Sequence, residues 1–305
     1  MMVMNLRDIE YFEAVAQYAH LGRAAEALGL GQPALSMSLR RLEQSAKAKL
    51  VRRTPKGVEL TAVGTALLTH VGKLRLARDD LAREVADLAA GRSGHIRIGA
   101  SPSNAEVCLP EACSDMLMEA PKVTLDVSVL DNDLLLPALR KGELDLAITH
   151  ALHAPQPGLT IDFFRADEFV VYCSKRHALA RRRSVGLEDL SQQRWAISTA
   201  IAHGPLLSLR RLFEEHGYPA PRATLISDLS MFKLRTVAGS DLVGVTVKSN
   251  VRTYAADLGL KVLPVRDLDW IRQVAVVHRE EAYLSPAAQR FIQILRSEAR
   301  KLAVR

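Results

Sequence analysis

The stretch that decides the N-terminal fold is Gly31-Gln-Pro-Ala-Leu-Ser-Met-Ser-Leu-Arg-Arg-Leu-Glu43. Its leucines Leu35, Leu39 and Leu42 recur at i, i+4 and i+7, so they stack on one side of a helix. Pro33 suits the first turn of that helix, where a missing backbone N–H leaves no hydrogen bond unmade. The pattern predicts a short amphipathic helix that buries its leucine face.

The opposite face of this helix is polar and carries groups suited to DNA. Glutamine and serine side chains can contact base edges, and arginine can bind phosphates. We therefore expect a recognition helix that enters the major groove. Its outward-facing residues are Gln32, Ser36, Met37, Arg40 and Arg41.

Two further helices are predicted before the recognition helix. Asn5 is a good N-cap for the first, and Asp8 lies three residues on, as in a capping box. A short alanine-rich helix follows from Arg23 to Leu28, and Leu28-Gly-Leu-Gly31 predicts a tight turn. Two helices joined by about three or four residues that include glycine are typical of a helix-turn-helix.

A basic hairpin is predicted after the recognition helix. The strands Leu50–Arg53 and Val58–Leu60 flank the β-turn pattern Thr54-Pro-Lys-Gly57. A hairpin that lies beside a recognition helix is called a wing, and its tip commonly contacts the DNA backbone or the minor groove. Each pattern alone is common on protein surfaces, but their order and spacing together favour a winged helix-turn-helix. The predicted wing contacts are Arg53, Thr54 and Lys56.

Charge and composition are compatible with a DNA-binding protein. The 305-residue chain carries a formal net charge of +7, and seven lysines or arginines against one glutamate give +6 between residues 40 and 56. Such a local concentration neutralises a phosphate backbone. No apolar run approaches the roughly 18 residues that span a bilayer, and no signal pattern is present, so we expect a cytoplasmic protein without a membrane partner. The three cysteines lack CxxC spacing, and we predict neither a metal site nor a cofactor.

A long helix is predicted from Thr61, a suitable N-cap, to about Ala90, because no proline interrupts the stretch. Apolar residues recur there at the a and d positions of a seven-residue coiled-coil repeat, and together they form a seam along one side of the helix. Arg78 lies within this seam, where it either fixes the register of two paired helices or marks a kink. A rod of roughly 45 Å is too long for one small domain to cover, so a dimer contact is favoured over a lone amphipathic helix. The predicted dimerisation residues are Leu67, Val71, Leu74, Leu81, Val85 and Leu88.

Strands and helices alternate after Gly91-Arg-Ser-Gly94, which predicts βαβ units, a parallel sheet and two lobes with a cleft between them. Predicted strands lie at 96–98, 123–130, 144–148, 169–172, 195–198, 222–226, 242–247 and 274–277. Predicted helices lie at about 105–119, 131–140 and 205–216, from about 229, and from 285 onward.

Ligands of open α/β sheets gather at the carboxyl ends of the strands, where helix N-termini present free N–H groups. Here those ends carry small hydroxyl residues, which suit a carboxylate or another polar small molecule. Each hydroxyl alone could be only a helix cap, and His203 could bind an anion or cap a helix. The predicted effector residues are Ser101, Pro102, Ser103, Thr149, Thr199, His203 and Thr246.

Several motifs resemble LysR-type transcriptional regulators. In the N-terminal part they are Asn5–Phe12, Arg23–Ala25, Gln32–Ser36, Arg41–Glu43, Arg53–Thr54 and Leu60–Thr61. The second half is similar to the family's effector-binding domain, a periplasmic-binding-protein-like fold. The matching motifs there are Ile96–Gly99, Leu109–Pro110, Gly142–Ile148 and Ala238–Gly244. The resemblance implies that Gln32, Pro33, Ser36 and Met37 approach the major groove and that Arg53 serves the wing, and Arg23 joins the predicted DNA-binding set.

The chain departs from the family pattern at a few positions. Gly22 and Gly31 stand where the family usually has Ser or Thr caps, which loses a hydroxyl. Met37 stands where a polar or basic residue is common, and it could contact a thymine methyl or belong to the core. Lys248-Ser249 replaces a proline that often follows the last motif.

The predicted fold is α/β, with an all-α-type N-terminal winged helix-turn-helix, a long linker helix and a two-lobed periplasmic-binding-protein-like effector domain. The predicted domains are 1–60 for DNA binding, 61–91 for the linker and dimerisation helix, and 95–305 for effector binding. The resemblance further implies that lobe 1 is about 95–162 and 267–305 and that lobe 2 is about 163–266.

The predicted function is transcriptional regulation. A homodimer, and by resemblance a homotetramer, would hold two recognition helices on a palindromic promoter site in double-stranded DNA. A small-molecule effector between the lobes would alter their arrangement, and RNA polymerase is a possible partner.

Three alternative functions are less favoured. An enzyme is not expected, because GxSxG, HExxH, P-loop and GxGxxG motifs are missing. A chromosome-associated DNA-binding protein without a ligand would not need the large α/β half. A solute-binding protein of the usual form would carry a signal peptide and no winged helix.

Overall fold

The computed structural model describes residues 4–90, 94–150, 156–199, 201, 209–219, 222–266 and 271–304. The chain divides into two compact units, Met1–Arg83 and Glu84–Arg305. Within the described residues, none of the helices combines the length and the apolar character needed to cross a membrane.

The N-terminal part contains three helices, a hairpin and a long helix. Its elements are α1 Leu6–Tyr18, α2 Leu21–Ala27, α3 Gln32–Ala46, β1 Val51–Thr54, β2 Gly57–Leu60 and α4 Ala62–Ala90. The two strands pair antiparallel, from Val51 opposite Leu60 to Thr54 opposite Gly57. The helix-turn-helix and the wing therefore follow one another as the sequence predicts.

Side-chain caps explain where the first two helices begin. Asn5 Oδ1 accepts a backbone N–H of the first turn of α1 at 2.9 Å, which confirms its role as N-cap. Asp8 forms no capping box, because its carboxylate bonds to α3 instead. The interpretation of Gly22 as the cap of α2 is wrong, since His20 Nδ1 accepts the Gly22 N–H at 3.1 Å.

One apolar core joins the helices and the hairpin of the first unit. Leu35, Leu39 and Leu42 are all buried in it, which confirms the predicted leucine face of α3. Val71 of α4 is buried in the same core, and Leu67 packs against it. The N-terminal turns of α4 therefore belong to the winged domain. The other buried members are Ile9, Phe12, Val15, Leu21, Ala24, Ala25, Leu50 and Val58.

Two glycines allow the wing to approach the helices closely. Gly57 has φ +133°, and a Cβ there would lie 2.3 Å from the carbonyl oxygen of Ala19. Val58 N–H donates to that same oxygen at 2.8 Å, which ties β2 to the end of α1. A Cβ on Gly64 would lie 2.0 Å from the carbonyl oxygen of Leu50, so α4 begins directly against the hairpin.

The described part of the second unit contains a nine-stranded sheet flanked by helices. The strands are β3 His95–Ala100, β4 Thr124–Val129, β5 Leu146–His150, β6 Leu159–Ser174, β7 Arg194–Ile197, β8 Arg222–Ile226, β9 Val243–Val247, β10 Leu260–Val262 and β11 Ile271–Arg279. The α-helices are α5 Pro102–Val107, α6 Leu109–Glu119, α7 Asn132–Lys141, α8 Leu187–Ser191, α9 Leu209–Glu215, α10 Ser230–Ala238, α11 Lys248–Leu258 and α12 Pro286–Val304, and a short 3₁₀ helix spans Ala178–Arg181. The strand order is β4-β3-β5-β11-β6-β9-β7-β8, with β10 paired to β6.

The sheet is parallel towards both ends and antiparallel in its middle. β3 is parallel to β4 and β5, and β7 is parallel to β8 and β9. β11 is antiparallel to β5 and β6, and β6 is antiparallel to β9. The prediction of a parallel sheet is therefore wrong at the centre. The reason is that β6 crosses from one half to the other, pairing with β11 through residues 159–168 and with β9 through residues 169–173.

The single helix predicted at 105–119 is wrong, because two helices occupy this region. α5 ends at Val107 and α6 starts at Leu109, with Cys108 between them at φ −127° and ψ −17°. Pro110 lies in the first turn of α6, where its ring and missing N–H prevent a continuous hydrogen-bond ladder. The break turns α5 into a separate short helix directly after β3.

Separate apolar cores support the two halves of the sheet. Phe291 of α12 is buried against the half that contains β3, β5 and β11. Trp195 of β7 is buried in the other half, edge-on to Phe213 at 6.2 Å between ring centroids. Its indole N–H donates to the carbonyl oxygen of Leu190 at 3.2 Å, so the buried polar group is satisfied.

Candidate functional site

The outward face of α3 lies beside the wing. The exposed residues of α3 on this face are Gln32, Pro33, Met37 and Arg40. Met37 is 59% exposed, so the alternative that it belongs to the core is wrong. Arg53 of β1 donates through Nη2 to Ser36 Oγ at 3.3 Å, at the centre of the face. The wing and the predicted recognition face therefore form one continuous surface.

Arg41 is held by a buried carboxylate on α1. Its Nη2 and Nε donate to Asp8 at 2.6 and 3.1 Å, and Ser38 Oγ donates to the same carboxylate at 2.5 Å. The hydrogen bond from Arg41 holds the pKa of Asp8 below its ordinary value, and burial opposes this effect. The structure thus places Arg41 where it fixes the position of α3 against α1.

A second buried carboxylate connects α3 to the hairpin. Glu43 accepts the backbone N–H of Leu50 at 3.0 Å and the Lys49 ammonium at 2.7 Å. Across the hairpin, Arg52 pairs with Glu59 at 2.5 Å. Part of the basic cluster is therefore used to build the domain.

The remaining predicted DNA-binding residues lie at the surface. Thr54 is half-buried, and its hydroxyl donates to the carbonyl oxygen of Gly57 at 3.4 Å within the turn of the wing. Lys56 is exposed at the tip of the wing, and Arg23 is exposed on α2. These positions leave both cations accessible to a phosphate backbone.

The predicted dimer seam divides into two parts along α4. Val71 is buried and Leu67 is half-buried in the winged-domain core. Arg78, at the middle of the seam, forms ion pairs with Glu10 and Asp79. Beyond Val71 the apolar seam residues are exposed, to 60% at Leu81 and 78% at Leu88. They are Leu74, Leu81, Val85 and Leu88.

The predicted effector residues lie on both halves of the sheet. Ser101 and Thr149 are buried at the ends of β3 and β5, and Thr246 is buried on β9. Pro102 and Ser103 are half-buried at the start of α5. Thr199 follows β7, and both its N–H and its hydroxyl donate to Asp228, at 3.0 and 2.6 Å. His203 lies outside the described residues.

Charged side chains that the sequence analysis did not select lie beside these hydroxyls. Arg272 of β11 donates through Nη2 to Ser103 Oγ at 2.6 Å, and its Nη1 lies 3.5 Å from His150 Nδ1. Its guanidinium carbon also lies 4.8 Å from the ring centroid of Phe169. Burial lowers the pKa of Arg272, and Asp167 opposes that shift.

Arg165, in the middle of β6, belongs to the same network of hydrogen bonds and ion pairs as Arg272. Arg165 Nη2 donates to Asn104 Oδ1 at 3.1 Å, and Asn104 Nδ2 donates to Ser101 Oγ at 2.9 Å. Asp167 lies 3.0 Å from Arg165 and 3.4 Å from Arg272. The network joins α5 to the two strands that cross the sheet centre. The charged pair Arg165-Ala-Asp167 next to an apolar strand was the signal that could have revealed it.

A cavity of about 790 Å³ lies against this part of β6. Arg165 and Asp167 contribute to its wall, together with Lys248 and Arg252 of α11 and Arg300 of α12. The cavity thus shares two residues with the buried network, and its charged lining residues are four cations and the two carboxylates Asp167 and Glu168.

The cysteines are poor candidates for a redox centre. Burial raises the pKa of Cys108 to about 12 and that of Cys173 to about 11, and it also raises the pKa of Cys113. The thiolate is the reactive form of cysteine, so these thiols are protonated at neutral pH. Among the described residues, no cluster of three or more His, Cys, Asp or Glu side chains could hold a metal ion.

Two family descriptions match this sequence. "Bacterial regulatory helix-turn-helix protein, lysR family" matches residues 6–65, which contain the helix-turn-helix and the wing. "LysR substrate binding domain" matches residues 89–300, which contain the mixed sheet and its helices. Together they cover most of the chain.

Individual relatives agree with these matches. The HTH-type transcriptional regulator YtlI of Bacillus subtilis is 28% identical over 87% of this chain and 84% of its own length. A full-length OxyR from Pseudomonas aeruginosa has 24% identity and a TM-score of 0.63, covering 98% of this chain and 96% of that one. The structure of CbnR with its target DNA has 19% identity and a TM-score of 0.61, covering 97% and 100%. The chain belongs to the LysR family of bacterial transcriptional regulators, which combine a DNA-binding helix-turn-helix domain with an effector-binding domain.

Proposed function

We propose that α3 and the wing bind a palindromic promoter site in double-stranded DNA. The observation that carries this proposal is the exposed polar face of α3, which the Arg53–Ser36 contact joins to the basic wing. In this proposal base edges are contacted by Gln32, Ser36 and Met37, with Pro33 beside them. The DNA backbone is contacted by Arg23, Arg40, Arg53, Thr54 and Lys56. Arg41, whose side chain is 57% exposed, joins these backbone contacts, and its ion pair with Asp8 also positions the recognition helix.

The exposed part of the α4 seam serves dimerisation in this proposal. Four large apolar side chains on one face of a helix are costly to leave in water, and a second copy of the chain would cover them. A dimer supplies the two-fold symmetry that a palindrome requires. Assembly of dimers into a tetramer, as is common in the family, and a contact with RNA polymerase complete the expected partners. The chain would act in the cytoplasm.

The effector is proposed to be a polar small molecule, such as a carboxylate, bound between two lobes. Lobe 1 would comprise about 95–162 and 267–305, and lobe 2 about 163–266. Support comes from the buried hydroxyls at the strand ends and from β6, which pairs with strands of both halves. The ligand would contact Ser101, Pro102, Ser103, Thr149, Thr199, His203 and Thr246.

Binding would regulate transcription through a change in lobe arrangement. A ligand shifts this equilibrium only if it binds the two arrangements with different affinity. Residues from both lobes in one site provide that difference. The linker helix, proposed as residues 61–91, would transmit the change to the spacing of the two recognition helices on DNA.

The DNA-binding surface is tested with full-length variants on a promoter duplex that the wild-type chain binds. Ser36→Ala removes a hydrogen-bonding group from the outward face of α3, and Arg40→Ala removes a proposed phosphate contact. We expect Ser36→Ala to weaken specific binding by about 1–3 kcal/mol. Arg40→Ala should weaken binding equally for all DNA sequences, and it should reduce by about 1 the slope of the logarithm of the binding constant against the logarithm of the salt concentration.

Fluorescence anisotropy at several salt concentrations measures both effects. Lys122→Ala is the matched control, because Lys122 is an exposed cation of the second unit. Wild-type affinity in both α3 variants at physiological salt would contradict the assignment of the recognition helix.

A further inference from the structure

Helix α10 carries a buried lysine, Lys233, which has no role in the function proposed above. Lys233 is only 4% exposed, and none of the described residues forms a hydrogen bond or an ion pair with its ammonium group. An unpaired buried charge is unfavourable, because it loses its hydration and gains nothing in return. Desolvation accordingly lowers the pKa of Lys233 to about 8. Such a group calls for an anionic partner.

The charged groups around Lys233 do not supply that partner. Asp228, just before α10, and Glu106 of α5 attract the ammonium electrostatically but are not within ion-pair distance. Asp228 is already hydrogen-bonded to Thr199. Helix α10 packs against α5, and Arg272 of β11 donates to Ser103 of α5, so both cations lie close to that helix, where Arg272 repels Lys233.

The positive charges of Arg165 and Arg272 also exceed the negative charge that their ion-pair partner supplies. Asp167 is the carboxylate that both arginines contact, and it must serve Arg165 and Arg272 together. Arg165 Nε and Nη1 and Arg272 Nε are buried N–H groups without a hydrogen-bond partner among the described residues. Ser103 Oγ already accepts from Arg272 and cannot neutralise it. Two buried arginines thus share one buried carboxylate, and the buried Lys233 adds a third cation that this carboxylate does not contact.

We propose that Lys233 and Arg272 bind an oxyanion group of the effector, a carboxylate, sulfate or phosphate group, and that this group joins the two lobes. The inference rests on the proposed function, because it takes the space between the lobes as the effector site. Lys233 belongs to lobe 2, and Arg272 belongs to lobe 1. The two cations repel one another without the anion, and each attracts the anion when it is present. The anion therefore favours the arrangement in which both cations reach it, which is the differential affinity that a switch requires.

Calorimetric titration of the full-length chain tests the proposal. The probes are sodium sulfate, potassium phosphate and sodium succinate, each against sodium chloride at equal ionic strength. We expect at least one oxyanion to bind, and comparison of the three distinguishes inorganic anions from a carboxylate source. Lys233→Met should raise the dissociation constant about tenfold or more, because it removes one of two charges. Lys175→Met, on an exposed lysine of the same lobe, should leave it unchanged.

The melting temperature without ligand separates this role from a structural one. Lys233→Met should raise Tm, because it removes an unpaired buried charge from the folded state. A lowered Tm together with unchanged oxyanion binding would overturn the proposal, as would failure of all three oxyanions to bind the wild-type chain.

The wild-type chain provides a second test that needs no variant. Below a pKa of about 8 Lys233 is charged, and above it the charge is lost; the other charged groups that face it are Asp228, Glu106 and Arg272. Sulfate stays a dianion between pH 7 and 9. Its affinity should therefore fall about tenfold from pH 7 to pH 9, and Lys233→Arg should flatten the profile. A flat wild-type profile would contradict the proposal.

Failure of this inference is distinguishable from failure of the proposed function. If a neutral sugar stabilises the chain and changes its DNA footprint while no oxyanion binds, the regulator stands and the anion assignment falls. If sulfate, phosphate and succinate bind through Lys233 but leave the DNA footprint unchanged, the link between this site and regulation falls.

Discussion

Asp8 shows how a single buried carboxylate can orient a DNA-binding surface. It lies on α1 but accepts hydrogen bonds from Ser38 and Arg41 of α3, so it links α1 to the proposed recognition helix. Charge-assisted hydrogen bonds of this kind are stronger than neutral ones. The position of α3 therefore depends on a buried group that lies outside the proposed DNA-binding surface.

We predict that Asp8→Ala destabilises the folded chain by about 1–3 kcal/mol, because Ser38 loses its acceptor in a buried position. The pKa of Asp8 is lowered in the folded state, so its contribution is present above its unfolded pKa of about 3.9 and is lost as pH falls below that value. Denaturant unfolding of wild type and variant between pH 2 and 7 measures both effects.

Glu26→Ala is the control, since Glu26 is exposed on α2. If Asp8→Ala unfolds at the same denaturant concentration as wild type at pH 7, the proposed role of the carboxylate is wrong.

At the residue scale, local patterns predicted more than distant contacts. The cap at Asn5 and the buried leucines of α3 depend on neighbours within a few residues, and both were predictable. The contact of Arg165 with Asn104 joins residues 61 positions apart, from strand β6 to helix α5. The burial of Lys233 could not be predicted from the sequence. A sequence gives no sign that a lysine on a short helix points inward.

At the element scale, α4 combines two roles that the heptad pattern alone could not separate. Val71 is buried in the core of its own domain, whereas the seam residues beyond it are exposed. Periodicity shows which side chains share a face but not what covers that face. Whether a second chain or the same chain covers an apolar stripe depends on where the rest of the fold lies.

We predict that Leu81→Glu weakens dimerisation of the full-length chain by about tenfold or more, because each copy would place a charge in an apolar seam. The winged-domain core contains Val71 but not Leu81, so its packing should be unaffected. Sedimentation equilibrium gives the dimer constant, and circular dichroism reports helix content.

Ala86→Glu adds the same charge on an exposed position away from the seam and should leave the dimer constant unchanged. Equal weakening by both variants, or by neither, would contradict the assignment of the seam.

At the scale of the whole molecule, the crossing strand β6 is the feature that the alternating pattern failed to predict. Alternating strands and helices correctly indicated the parallel pairs around β3 and β7. They gave no information on strands that link two halves, because the order of strands and helices along a chain does not show which strands pair or in which direction. Residues beside β6 and β11 were therefore missed, although the hydroxyls at the ends of the parallel strands were selected.

In the proposed function, two copies of the chain present paired recognition helices to DNA. Selection of bound duplexes from a random-sequence pool by the full-length protein tests this claim most directly. We predict an enriched motif with two-fold symmetry, in which two equivalent half-sites face the two recognition helices. Enrichment of no motif, or of a single site without symmetry, would contradict it.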